Sequence, residues 1–205
     1  MKTLLKLNSS IFGENGASSR LTQGFVARWV TAHPGARVIE RDLATNPVPH
    51  LTADAFAGFS AKPGERSAAQ QTAVEASDAL IDELRRADVL VLGLPMYNFG
   101  VPSTLKAYFD YIGRGGETFR YTENGPEGLL TGKKAYVFAT RGGVYAGASS
   151  ETETSYVRQF LSFLAITDIE FVYAEGLAMG DAFRTAALEA AAQAIEHLTD
   201  ARLAA

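Results

Sequence analysis

Cysteine is absent from the 205-residue sequence. That excludes disulfides, thiolate zinc sites, iron–sulfur ligation and cysteine nucleophiles together, so any redox chemistry has to reside in a bound cofactor. Histidine is scarce: His33, His50 and His197 fall at a helix end, in a loop and on the last helix. With no GxSxG motif to supply a serine beside a base, hydrolysis is disfavoured, and histidines so scattered build no metal site. Long apolar runs are missing as well. Nothing approaches the roughly 18 residues of a membrane span, and MKTLLKLN holds too short an apolar segment for a signal peptide, so the expected place is the cytoplasm, with no membrane partner. Positive charge is not in excess. A formal net charge of −4, from 19 Lys and Arg against 23 Asp and Glu, leaves no footprint for nucleic acid. What is there, 47% hydrophobic and 20% charged residues, suits one domain over 1–205 with a sizeable core.

Pattern divides the chain into alternating elements. Residues 3–7, 38–40, 89–92, 135–139 and 169–173 read as strands, and 18–33, 68–87, 103–112, 153–165 and 183–203 as helices. On the second helix Val74, Ser77, Leu80, Ile81, Leu84 and Ala87 recur at helical spacing, the signature of a core-facing stripe. Val89-Leu90-Val91-Leu92 is apolar on both faces, as a central parallel strand covered by helices must be. Alternation of this kind predicts an α/β, doubly wound, five-stranded parallel sheet with helices on both faces. In about 200 residues the expected order is the flavodoxin-like 2-1-3-4-5, with ligands beyond the carboxyl ends of the strands near the switch between strands 1 and 3.

Three loops fall at that edge. NSSIFGENGASSR, Asn8 to Arg20, brings serine hydroxyls and backbone N–H groups to a helix N-terminus, where the dipole favours a phosphate. It lacks both GxxxxGK[ST] and GxGxxG, which points to the single phosphate of a mononucleotide, although Ser18 or Ser19 suits a helix N-cap equally well. PMYNFG, Pro95 to Gly100, puts two aromatic residues and an amide between a strand and a helix that starts at Pro102. Tyr97 and Phe99 serve a core or sandwich a flat ring. Gly142 and Gly143 in ATRGGVY let the backbone approach such a ring and donate N–H groups to its carbonyl edge, or form an ordinary turn. Together the three loops suit a phosphate-tailed heteroaromatic, most simply FMN.

PMYNF at 95–99, TFRYTENGPEGL at 118–129, TGKKA at 131–135, RGG at 141–143 and ITD at 166–168 resemble, in order and spacing, the FMN-dependent NADH azoreductases, a flavodoxin-like family that also reduces quinones. The resemblance spans nearly the whole chain. It implies that Ser10 with Gly16, Ala17 and Ser18 holds the FMN phosphate, that the ring rests on Met96, Tyr97, Asn98 and Phe99, and that Thr140, Arg141, Gly142 and Gly143 meet its other end. The chain departs from the family at Gly16, where serine is common, at Ala17, where a polar side chain is usual, and at Thr140, usually serine. At Gly16 and Ala17 only the backbone then remains for contact, which shifts weight toward Ser19.

The resemblance further implies homodimers with active sites formed by both subunits. NADH is the donor, a quinone or azo compound the acceptor, and the chemistry is carried by FMN without a catalytic side chain. Phe119 and Tyr121, two apart in an extended segment, point the same way and are expected to overhang the flavin. Phe163 matches a pocket aromatic but equally suits the core of its own helix, and Asn124-Gly125-Pro126 reads as a turn. A flavodoxin-type FMN electron carrier is the alternative, yet such carriers are usually strongly acidic and need no substrate space. The loop assignment is tested by Ser10→Ala, which should weaken FMN binding to the apoprotein by about 1 to 3 kcal/mol, the range for a lost hydrogen bond to a charged group. Equal affinity for variant and parent removes Ser10 from the phosphate site.

Overall fold

The computed structural model describes residues 1–200. Five strands form one parallel sheet: β1 (Thr3–Asn8), β2 (Arg37–Asp42), β3 (Val89–Pro95), β6 (Lys134–Thr140) and β7 (Asp168–Ala174), in the order β2-β1-β3-β6-β7. This is the expected 2-1-3-4-5 pattern. A separate antiparallel hairpin joins β4 (Phe119–Thr122) to β5 (Gly125–Gly128). The helices are α1 (Ala17–Ala32), α2 (Ala53–Ser60), α3 (Ala68–Arg86), α4 (Ser103–Ile112), α5 (Glu153–Phe163) and α6 (Asp181–Asp200). The end foreseen for the last helix, at Leu203, lies outside the described residues.

The sheet sorts its side chains with period two. On β3, Val89 and Val91 enter one core layer with Phe25 and Trp29 of α1 and Ala191 and Ile195 of α6. Leu90, Leu92 and Leu94 enter the other, with Leu80, Ile81 and Leu84 of α3, Tyr108 and Phe109 of α4 and Val157 and Leu161 of α5. All seven residues of β3 are buried, the doubly covered state that its unbroken apolar run requires. The stripe foreseen on α3 faces this core from Val74 to Ala87. A capping box between Ser67 and Gln70 starts that helix.

Two elements were not foreseen. The helix α2 is short and capped by Thr52, whose hydroxyl accepts from the Ala55 N–H at 3.1 Å. It is held to α3 by a bond from Gln70 Nε2 to Asp54 Oδ1 at 2.9 Å. The hairpin turns at Glu123 and Asn124, so Gly125 and Pro126, expected in a turn, are strand residues paired with Thr122 and Tyr121. α5 stops at Phe163, short of the expected Ala165. Bonds from Ile166 N to Leu161 O and from Ala165 N to Ser162 O, both 2.9 Å, close a Schellman motif with Ala165 left-handed at φ 72°.

The hairpin docks on that helix end through Gly128. A Cβ at this position would lie 2.3 Å from both Ala165 N and Leu164 C, backbone atoms that cannot retreat. Gly128→Ala should therefore destabilise the protein by about 2 to 3 kcal/mol, as overpacking does. Urea unfolding measures it, and an unchanged midpoint would show that the hairpin does not pack as described.

Candidate active site at the carboxyl edge of the sheet

Because the strands are parallel, the loops after β1, β3, β6 and β7 all leave the sheet at one edge. Beyond β1, the Ser10 carbonyl accepts from Gly13 N at 3.0 Å and the Ser10 hydroxyl from Phe12 N at 3.2 Å, and a 3-10 turn over Gly13–Asn15 leads to Gly16 at the N-cap of α1. No side chain caps this helix. Arg20 N makes the first helical bond, to Gly16 O, which leaves the N–H groups of Ala17, Ser18 and Ser19 without partners among the described residues. The hydroxyls of Ser18 and Ser19 are buried and unpartnered too, so neither serine is the cap that its position suggested. An unmade hydrogen bond in the interior costs about 1 to 3 kcal/mol. Such a concentration of donors at a positive helix end is built for an anion.

Gly16 has its own reason. A Cβ there would lie 2.2 Å from Ser10 Oγ, so the missing side chain is what lets the Ser10 hydroxyl sit against the helix end.

After β3, Tyr97 N donates to Gly100 O at 3.0 Å and Gly100 N to Tyr97 O at 3.1 Å, with Asn98 and Phe99 both left-handed at φ 51° and 65°. This is a mirror-image (type I′) hairpin turn. Asparagine accepts that conformation readily, while for phenylalanine it is an outlier. The turn throws the Phe99 ring outward, 57% exposed, and folds Tyr97 back over the first loop, where its hydroxyl accepts from Ile11 N at 3.3 Å and lies 3.4 Å from Ser10 Oγ. Met96 N donates to Thr140 O at 3.0 Å, joining this turn to the loop after β6.

In that third loop the carbonyls of Arg141, Gly142 and Gly143 accept from Leu177, Ala178 and Gly176 at 3.0, 3.0 and 2.8 Å. The N–H groups of Gly142 and Gly143 have no partner among the described residues. At Gly142 a Cβ would meet Ala178 Cβ at 3.3 Å, so the missing side chain also lets the residue fit its own loop. The Arg141 side chain is not at the site at all. It is buried among Glu151 (2.8 Å), Glu175 (3.0 Å) and Glu153 (3.4 Å), so only its backbone borders the edge.

A family model described as flavodoxin-like fold matches residues 1–198. The chain is 53% identical over 180 residues to an FMN-dependent NADH:quinone oxidoreductase of Cellvibrio japonicus, covering 88% of this chain and 90% of that one. It belongs to the FMN-dependent NADH:quinone oxidoreductase family. Among solved structures, an azoreductase of Bacillus anthracis superposes with TM-score 0.84 at 32% identity, covering 95% of this chain and 99% of that one. An FMN-dependent NADH-azoreductase of Bacillus anthracis in complex with FMN superposes at 0.88 with 26% identity, covering 98% of each chain.

The edge of this oxidoreductase-family chain suits FMN on its own chemistry. Unpartnered hydroxyls and N–H groups at α1 match a phosphate, and free N–H groups at Gly142 and Gly143 match a carbonyl edge. Phe119, Tyr121 and Phe163 do come together: the Phe119 ring stands 5.6 Å from Tyr121 and 4.5 Å from Phe163. They line a groove of about 550 Å³ with Phe56, Phe59 and Phe160. That groove is not at the carboxyl edge of the same chain. α4 and α5 begin at the carboxyl edge and run back along the sheet, so Gly113 and Phe163, just past or at their ends, lie toward its other edge. Among the described residues, Tyr121 shares no ring contact or hydrogen bond with Tyr97 or Phe99 of its own chain.

Sequence reasoning missed Tyr145, Glu151, Glu153 and Glu175. The Tyr145 ring packs edge-on to Phe99 at 5.7 Å, and Thr152 Oγ1 donates to Phe99 O at 3.2 Å. Glu151 accepts from Thr154 N at 2.9 Å as well as from the Thr154 hydroxyl. Burial pushes its carboxyl up, but these bonds and Arg141 outweigh it and hold the group below the ordinary carboxylate range. Glu153 has no such bonds. Burial pushes its carboxyl up to about 8, against the pull of Arg141, so it keeps a proton at neutral pH.

The sign follows from linkage. Between about pH 4.5 and 8 the unfolded chain has released this proton and the folded chain has not, so Glu153 makes stability fall as pH rises through that window. Glu153→Gln removes the titrating group while keeping its shape. Melting temperatures from pH 5 to 8 should fall less steeply for Glu153→Gln than for the parent, and parallel curves would rule out a proton on Glu153.

Proposed function

We propose that the chain is an FMN-dependent NADH oxidoreductase that reduces quinones or azo compounds by two electrons. It works as a homodimer of single-domain chains, with an expected place in the cytoplasm. The observation that carries this reading is the pair of buried, unpartnered hydroxyls, Ser18 and Ser19, beside free N–H groups at the α1 N-terminus. The relatives' names supply the cofactor and the donor.

In this reading Ser10 and the N–H groups of Ala17, Ser18 and Ser19 hold the phosphate, while Gly16, whose own N–H is taken by Gly13 O at 3.2 Å, only gives the space for the Ser10 hydroxyl. Met96, Tyr97, Asn98 and Phe99 border the ring, and Gly142 and Gly143 donate to its carbonyl edge, with Thr140 and the Arg141 backbone beside them. Bound there, FMN supplies the two-electron chemistry that carries a hydride equivalent from NADH to the acceptor. The residues around it orient and stabilise charge, and no side chain is assigned as acid or base.

The aromatic groove supports the dimer. Phe56 and Tyr121 are 61% and 78% exposed on one chain, a large apolar surface to leave in water. A second copy covers it when Phe119, Tyr121 and Phe163 of one subunit close over the ring site of the other. No helix of the described residues is long and apolar enough to cross a membrane.

The purified protein should be yellow, and anaerobic NADH should bleach it quickly. A yellow protein that NADH does not bleach would instead be an electron carrier. Donor and acceptor need the same exposed ring face, so they take turns. Double-reciprocal plots at several acceptor concentrations should be parallel, and Tyr121→Ala should raise the acceptor KM more than it weakens FMN binding. Intersecting plots with an isolable ternary complex would defeat the shared face. Flavin loss at unchanged KM would move Tyr121 into the cofactor shell.

A further inference from the structure

Glu175 follows β7 directly, and a single oxygen of its carboxylate, Oε1, accepts three bonds: from Tyr145 N at 2.8 Å, Ala146 N at 2.9 Å and Arg141 Nη1 at 3.0 Å. Arg141 has no need of it for charge. Glu151 already pairs with the guanidinium at 2.8 Å, and Glu153 lies 3.4 Å away. Beside protonated Glu153, Glu175 is a second carboxylate around one cation, and it costs desolvation that charge balance alone does not return. What Glu175 alone provides is an acceptor placed under two backbone N–H groups.

Those N–H groups set the loop. With Tyr145 pinned, its ring lies on Gly143, about 3.0 Å from where a Cβ would stand, and its edge meets Phe99 at 5.7 Å. The carbonyls of residues 141–143 are meanwhile taken by 176–178, which turns the N–H groups of Gly142 and Gly143 the other way. We propose that Glu175 is a positioning residue of the ring site: without touching the cofactor, it holds the glycine loop and Tyr145 so that the Gly142 and Gly143 donors stand at a fixed distance from the Phe99 turn. The proposal rests on the FMN reading above. It extends that reading to a residue outside the proposed binding shell.

Two substitutions separate position from charge. Glu175→Asp keeps the charge but withdraws the oxygen by about 1.5 Å, one carbon–carbon bond. Glu175→Gln keeps the oxygen and removes the charge. In titrations of the apoproteins with FMN, followed by flavin fluorescence, Asp should bind about tenfold more weakly, the loss of one charge-assisted hydrogen bond, and Gln within about threefold of the parent. Chymotrypsin should cut after Tyr145 faster in the Asp apoprotein than in the Gln or parent apoproteins. The reverse order, two variants equal to the parent, or equal losses accompanied by equal drops in melting temperature would each overturn the proposal. A parent protein that takes up no FMN would defeat the reading above instead, and the cleavage rates alone would then decide whether Glu175 positions this loop.

Discussion

Met96 donates its N–H to the Thr140 carbonyl one step beyond the last strand pair of β3 and β6, Pro95 with Thr140. That extra rung carries the order of the sheet into the loops. The strands are parallel, so the segments that follow them emerge side by side, and the bond fixes the height of the aromatic turn against the glycine loop. Tyr97 then reaches across to the serine loop, where its hydroxyl meets Ile11 N. Three segments distant in sequence thus share one reference, the rigid centre of a fully buried strand.

On that footing the turn tolerates strain. A non-glycine residue in the left-handed region costs about 1 to 3 kcal/mol and survives only where its surroundings over-determine it. Asn98 and Phe99 are two such residues in succession, bracketed by a reciprocal pair of bonds between Tyr97 and Gly100 and by the Thr152 hydroxyl on the Phe99 carbonyl. Glycine in place of Phe99 would relax the backbone and remove the ring.

The sheet was legible because its signal is local. Val89 to Leu92 is apolar without a break, and the stripe on α3 repeats with the helical period, so neither needs knowledge of its neighbours. The short helix α2 was not legible, since eight residues with Gly58 among them carry too little periodicity, and its anchor, Gln70, belongs to another element. In the hairpin, Asn124, Gly125 and Pro126 read as turn chemistry, and nothing in the sequence showed that Gly128 lies on the end of α5. The serine and aromatic loops announced themselves by composition. Glu175 did not: a lone acid after a strand looks like solvent-facing charge until Arg141, 34 residues earlier, is found beside it. An arginine inside a glycine loop was the available clue, because a cation there needs acids from somewhere.

The cage around Arg141 is a hub with unequal spokes. Each glutamate comes from a different stretch of chain or faces a different nitrogen, and the guanidinium is common to all of them. Removing one acid leaves a cation with two partners, but removing the cation leaves three acids crowded together with no counter-charge. Tolerance to substitution is therefore lopsided. Exchanges among the acids are open to compensation by protonation, while Arg141 has no substitute that spans three acids, since a lysine ammonium concentrates its charge at one point. Substitution at a glutamate is thus more readily absorbed than substitution at the arginine.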